Sequence, residues 1–266
     1  MAAAATEHSR LGRTRFVEGI RALTLPAGKA VDVERLPDGR TNLVFRVLEG
    51  GHHGDVWVAG PLTRATFKSK AGVARTLILR LEPGSTVPLL GVAANELTDR
   101  VVPLGDVWGR EAQALCGELL AATCQKDAMD RFERVLAVRA SRALETGSGL
   151  LARRAARLLE GAQQARIERV AERLGVTGRH LRRAFDEHVG VSPKEFARAV
   201  RLQRAVRLAA TSSNWARIAA DAGYYDQAHL ISDFRQLMGL TPGAFVTRAR
   251  AQELRHADYP GRRTPA

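Results

Sequence analysis

IERVAERLGVTGRHLRRAFDEHVGVSPKEF (residues 167–196) and WARIAADAGYYDQAHLISDFRQLMGLTPGAF (residues 215–245) are one design written twice. Ala171, Leu181, Phe185, Gly190 and Pro193 mark a helix, a turn, a second helix and a restart in the first copy. Ala219, Leu230, Phe234, Gly239 and Pro242 mark the same parts in the second. The offset is 48 residues before the turn and 49 after it, so the second turn is one residue longer. Similarity at a fixed internal period means one supersecondary unit used twice. The unit has the form of a helix-turn-helix.

The punctuation supports this reading. Gly175 stops the helix expected over 166–174, because glycine takes a left-handed position without a Cβ clash. Thr177 can cap a helix over 178–188, and Ser192-Pro193-Lys194-Glu195 is a capping box with proline at the first helical position. That box launches a long helix to about residue 210. Asn214 opens the second unit, Gly223 breaks it, and a helix over 226–238 follows before Thr241-Pro242 starts the last. At 100° per residue, Leu181, Ala184, Phe185 and His188 fall on one side of the first unit's second helix. Arg179, Arg182 and Arg183 fall on the other, at i, i+3 and i+4 spacing. Guanidinium forks can bond guanine O6 and N7, or clamp phosphate.

The helix over 193–210 would span roughly 26 Å at about 1.5 Å per residue. Half-sites read from one side of a duplex lie about 34 Å apart, so one polypeptide could serve two successive major-groove segments. Arg198, Arg201, Arg204 and Arg207 drift slowly around this helix, and Arg201 is assigned to the DNA backbone. In the second unit Gln227, Ala228, Ser232 and Arg235 are candidates for outward positions; Gln227 can pair with adenine, and Arg235 and His229 can meet phosphate. Thr177 is assigned to phosphate in the first unit.

Charge agrees with a polyanionic partner. The chain of 266 residues has a formal charge of +13, with 21 Lys and Arg against 11 Asp and Glu from Leu150 onward. Cys116 and Cys124 are the two cysteines, too few for a disulfide scaffold or a zinc cluster. They read as buried or half-buried reduced thiols. No stretch is apolar enough to span a membrane, so a cytoplasmic protein is expected. No cofactor is implied.

Residues 1–15 have no periodicity and read as a disordered leader. Between 20 and 81, Leu43–Val47, Val56–Val58, Ala65–Phe67 and Arg75–Leu81 are short β runs broken by turns such as Pro37-Asp38-Gly39. They suggest a small β-barrel or sandwich. A short helical piece over 92–97, a helix capped by Asp106 through 122, and another over 128–144 would form a hairpin packed on it. The hairpin's apolar stripe is assigned to burial rather than to a dimer. Thr146-Gly147-Ser148-Gly149 reads as a flexible linker. The expected class is therefore α+β in two domains: 16–145, then an all-α domain over 150–252 with two helix-turn-helix subdomains, and a flexible tail over 253–266.

Val170-Ala171 through Thr177, His180–Phe185, Gly190–Phe196, Arg201–Ala205, Ile218–Leu230 and Gly239–Pro242 resemble the DNA-binding domain of AraC-type (AraC/XylS) transcription regulators. The resemblance covers about residues 150–251. It implies double-stranded DNA as partner, and by position it assigns base reading to Arg179, Arg182 and Arg183, then to Gln227, Ala228 and Ser232. A basic residue commonly stands where this chain has Ser232, so the first unit is expected to specify sequence and the second to anchor.

Leu36–Gly39, Val58–Pro61, Glu82–Gly84 and Glu96–Arg100 are similar to the cupin-like front domain of some of these regulators. Such domains sense a small-molecule effector, mediate homodimerisation, or both, and activation would involve RNA polymerase. The residues of a ligand site are unknown from the sequence. Two alternatives stand beside this reading. One is a ligand-independent DNA binder whose front domain serves assembly. The other is a DNA-modifying enzyme carrying an AraC-type module, which would need a cysteine cluster that this chain lacks. His52-His53-Gly54-Asp55 could ligate a metal only with further ligands, and reads as an exposed hairpin turn.

Overall fold

The computed structural model describes residues 6–8, 16–25, 28, 30–162 and 166–257. Its front half is a six-stranded antiparallel sheet in the order β1-β2-β7-β4-β5-β8. The strands are β1 (Thr6–His8), β2 (Val17–Thr24), β4 (Asn42–Leu48), β5 (Gly54–Ala59), β7 (Val73–Leu81) and β8 (Val101–Pro103). A separate two-stranded sheet pairs β3 (Val31–Arg35) with β6 (Thr66–Lys70). The larger sheet is open, with β1 and β8 at its edges.

Alternation sets its inner face. Leu43, Phe45 and Val47 of β4 are buried, and Leu43 sits between Val58 and Leu79 while Phe45 sits between Val56 and Leu77. Against this face pack α3 (Arg110–Leu120) and α4 (Gln125–Arg142), through Ala112, Leu115, Leu119, Phe132 and Leu136. Each fully buried Leu or Phe there contributes roughly 1.5–3 kcal/mol. The expected helical hairpin is thus present and buried.

Several local expectations change. Thr6–His8 is a strand paired with Ala22, Arg21 and Ile20, within the run expected to be a disordered leader; residues 1–5 and 9–15 lie outside the described residues. Two short helices precede the hairpin, α1 (Thr86–Leu90) and α2 (Gly105–Trp108). Asp106 is not a cap: it lies in the first turn of α2, and Gly109 at φ 57° interrupts the helix before α3. The piece expected over 92–97 is a 3-10 turn, Ala94–Leu97. Cys116 is half-buried and bonds Gly54 O at 3.4 Å, but Cys124 is exposed at the start of α4, where its sulfur accepts from Asp127 N.

The segment expected to be a flexible linker is ordered helix. Thr146 caps α5 (Gly147–Gly161), its hydroxyl accepting from Gly149 N at 3.1 Å. From there the chain is helical: α6 (Ile167–Arg173), α7 (Gly178–Val189), α8 (Pro193–Ala209), α9 (Trp215–Ala222), α10 (Gln227–Met238) and α11 (Pro242–Ala257). The start of the expected tail, 253–257, continues α11; residues 258–266 lie outside the described residues. Two separate cores hold the helices. One joins α5, α6, α7 and the N-terminal end of α8 through Ala152, Ala156, Leu159, Val170, Leu181, Phe185 and Phe196. The other joins the C-terminal end of α8 to α9, α10 and α11 through Leu202, Ile218, Ala219, Leu230, Phe234 and Phe245.

The two halves meet directly. Arg40 is 8% exposed and is bonded both to Glu18 in the sheet half and, at 2.5 Å, to Glu160 on α5. Burial works to raise the Glu18 carboxyl, yet Arg40 and Arg80 outweigh it and hold Glu18 below the ordinary range. Gln203 on α8 donates to Pro37 O at 3.1 Å, and Phe196 fills the space over Gly39, where a Cβ would come within 2.4 Å of its ring.

Candidate nucleic-acid interface

In the first unit the turn closes at Gly175, φ 69°, with Val176 N donating to Ala171 O at 3.0 Å. Thr177 then caps α7, its hydroxyl accepting from His180 N at 3.2 Å. That bond leaves the Thr177 O–H able to donate. Leu181, Ala184, Phe185 and Val189 face inward, and Phe185 meets the Phe196 ring edge-on at 5.6 Å. Arg179, Arg182 and Arg183 are all exposed on the outer side, with His180 beside them. The inward stripe dictates this: fixing Leu181 and Phe185 in the core turns the intervening arginines to solvent.

The second unit repeats the geometry. Gly223 sits at φ 90°, Tyr224 N donates to Ala219 O at 2.9 Å, and Asp226 caps α10 by accepting from His229 N at 2.7 Å. Gln227, Ala228, His229, Ser232 and Arg235 are exposed. The His229 ring packs edge-on against Tyr224 at 5.2 Å. Tyr225, next in the turn, is 90% exposed, the most open aromatic side chain in the unit. The two exposed faces differ in chemistry: three guanidinium forks on α7, against one amide, one hydroxyl, one methyl and an imidazole on the first turns of α10.

Arg201 does not join this surface. It lies 3.9 Å from the carboxylate of Asp233 on α10 and stacks over the Tyr224 ring at 5.5 Å. Arg198 donates twice to Asp233 Oδ1, at 2.8 and 3.2 Å, and once to Gln236 at 2.6 Å. Arg204 turns back to the carbonyls of Glu160 and Ala162 at the end of α5. In the structure the Arg201 guanidinium is thus turned toward Asp233 and Tyr224 and away from the exposed faces of α7 and α10. Of the four arginines on α8, Arg207 is the exposed one.

Sequence reasoning missed Asp233. It is 5% exposed and stands where the first unit has Ala184. The signal was there: Leu230, Asp233, Phe234 and Leu237 share the inward stripe, and an acid on a core stripe requires a buried base. Burial beside Asp233 also pushes the Tyr224 phenol up, so it stays protonated. His188, in the last turn of α7, was placed correctly inside. It is 1% exposed, bonded to Ser148 Oγ at 2.9 Å at the start of α5, and burial lowers its pKa.

His52 and His53 are exposed in the turn between β4 and β5, and Asp55 on β5 is bound by Arg46 at 2.7 and 2.5 Å. Among the described residues no three His, Cys, Asp or Glu side chains are placed to hold a metal ion. Among them, too, no helix is long and apolar enough to cross a membrane.

Comparison with known proteins finds matches in two parts of the chain. Residues 170–248 match a helix-turn-helix domain, and residues 14–103 match a domain of unknown function. An uncharacterized HTH-type transcriptional regulator of Haemophilus influenzae is 34% identical over 80 residues, covering 30% of this chain. The match spans about a quarter of that curated relative's length, 27%. Among solved structures, unsaturated fatty acid bound wild-type ToxT from Vibrio cholerae strain SCE256 is 10% identical, with 89% of this chain and 97% of that one covered and a TM-score of 0.46. A probable AraC family transcriptional regulator from Rhodopseudomonas palustris is 28% identical, with 38% of this chain and 97% of that one covered and a TM-score of 0.34.

Proposed function

We propose that the chain, whose residues 170–248 match a helix-turn-helix domain, is a cytoplasmic, non-enzymatic regulator of transcription of the AraC type that reads double-stranded DNA by sequence. The observation that carries this reading is the outer face of α7, where Arg179, Arg182 and Arg183 stand exposed on a helix capped and packed at both ends. A helix of that kind fits the major groove, and its forks can take guanine edges in bidentate fashion. In this reading Thr177, Tyr225, His229 and Arg235, all exposed, contact phosphate. Gln227 can pair with adenine, while Ala228 and Ser232 offer a methyl contact and a single hydroxyl. The pair is unequal: α7 specifies and α10 mainly anchors.

The sheet half, residues 16–145, is the regulatory domain in this reading, acting through a small effector, homodimerisation, or contact with RNA polymerase. The direct test is Arg182→Ala in the full chain, measured on a duplex selected from a random pool and on unselected DNA. If Arg182 reads a base, the selected duplex loses about 1–3 kcal/mol of affinity and the unselected one much less. Equal losses on both would make it a phosphate contact. Binding that does not weaken as salt rises would remove DNA as the partner, since phosphate contacts release counterions.

A further inference from the structure

The two recognition helices are joined by α8, but they share a second connection in the sheet half. One short stretch, residues 60–65, lies against the C-terminal end of each. At α7, the Pro61 ring is packed on Gly190, the helix's left-handed C-cap, so closely that a Cβ there would come within 2.7 Å of it. Thr98 Oγ1 donates to Gly190 O at 2.6 Å at the same place, and Asn95 donates to Asp186 at 2.8 Å. At α10, Ala65 N donates to Leu237 O in the last turn at 2.7 Å. Leu36, Ala65 and Phe67 close over the second unit's core beside it.

The stretch is braced along its length. Gly60 N donates to Arg100 O at 3.0 Å and Gly60 O accepts from Arg35 at 2.8 Å. Pro61 O accepts from Asp99 N at 2.8 Å. The Asp99 carboxylate takes both the N–H and the hydroxyl of Thr63, at 2.8 and 2.6 Å. Asp99 holds this position at φ 59°, the left-handed region, the one non-glycine residue to do so among those described. A backbone in that region is retained where the surroundings over-determine it.

From this geometry we propose that residues 60–65 are a strut that sets the separation and twist of the two recognition helices, with Thr63, Ala65 and Asp99 as its positioning residues. The sheet half thereby helps determine which half-site spacing the chain accepts. A single helix between two units leaves each free to rotate at its end turns. A second, stiff link between the far ends of α7 and α10 removes that freedom. The inference deepens the DNA-reading function and rests on it.

The test uses the full chain with two readouts. Spin labels on exposed Glu172 of α6 and Asp221 of α9, in a background where Cys116 is Ala and Cys124 is Ser, report the distance between units without DNA. A panel of selected duplexes with the half-site spacer lengthened by one or two base pairs reports spacing preference. Asp99→Gly keeps the left-handed backbone free of strain while removing the carboxylate, and Ala65→Pro removes the N–H given to Leu237. Both variants are expected to broaden the label distances and to flatten the spacing preference by about tenfold, because the second unit's effective concentration at a fixed spacing depends on how rigidly it is presented. Asp99→Asn, which keeps an acceptor for Thr63 N, should recover part of it. Unchanged label distances and an unchanged spacing optimum in both variants overturn the strut. If the labels respond but the parent chain selects no duplex, the DNA reading has failed instead, and the spacing claim falls with it.

Discussion

Replacing Asp233 by alanine should loosen the second unit without touching any group on the exposed faces of α7 and α10. The carboxylate is 5% exposed, and it neutralises Arg198, with Arg201 at its other oxygen. Removing one member of a fully buried ion pair costs roughly 3–5 kcal/mol, because the other charge stays desolvated. Arg198 and Arg201 keep 23% and 19% of their side-chain exposure, so water recovers part of that cost. The expected loss is about 2–3 kcal/mol. Amide hydrogen exchange across α8, α9 and α10 reads it locally, apart from the sheet half. A double-mutant cycle with Arg198→Ala should return a coupling of about 1–2 kcal/mol. Arg201→Ala supplies the control: it should raise exchange in α10 and leave the salt dependence of DNA binding unchanged. If instead Arg201→Ala reduces the salt slope by about 1 and Asp233→Ala exchanges like the parent, then Arg201 is a phosphate ligand and the inward assignment is wrong.

Two further outcomes can be checked by thermal unfolding. Gly60→Ala would put a Cβ 1.8 Å from Leu97 O, a backbone atom, and should cost about 3 kcal/mol or more, lowering Tm sharply; an unchanged Tm would refute the tight approach. His188 is buried and neutral, with Glu187 Oε1 at 3.6 Å as its nearby acid and Ser148 and Thr146 as its other polar neighbours. Its folded pKa lies below the unfolded value, so folding carries no penalty from it above about pH 6.5. As pH falls below that, the unfolded chain takes a proton that the folded chain resists, and stability is lost. Tm of the parent should therefore drop faster toward acid than that of His188→Gln; parallel curves would sink the idea.

The helical half was legible because its signals are local. Gly175, Gly190, Gly223 and Gly239 all take positive φ. Thr177 and Ser192 cap, as their positions implied, while Asn214 caps the helix it was expected to open and Asp226 caps α10 where the expected helix had included it. What was not legible there depended on distant partners. Arg198, Arg201 and Arg204 have the spacing of a solvent face, and nothing near them in sequence reveals that Asp233 and the end of α5 claim them. In the sheet half β4, β5 and β7 announced themselves as short β-branched and aromatic runs between turn residues. β3 did not, since Val31–Arg35 carries three charges in five residues and is held by its pairing with β6. The linker reading failed for a different reason. Thr-Gly-Ser-Gly has linker composition, yet Thr146 is a good cap and His188 supplies the partner that orders the turn.

That last feature changes how the two halves can move. Between the end of α4 at Arg142 and the start of α5 at Gly147 only four residues remain, and one of them is occupied as a cap. Four extended residues reach at most about 14 Å. The alternative to the closed form is therefore not two bodies diffusing apart but a leaf swung slightly open on a short pin. Contacts across such a joint, Arg40 to Glu160 among them, re-form at high effective concentration. Opening would be a first-order event, insensitive to protein concentration, and a perturbation equal to one of those contacts would be enough to shift it.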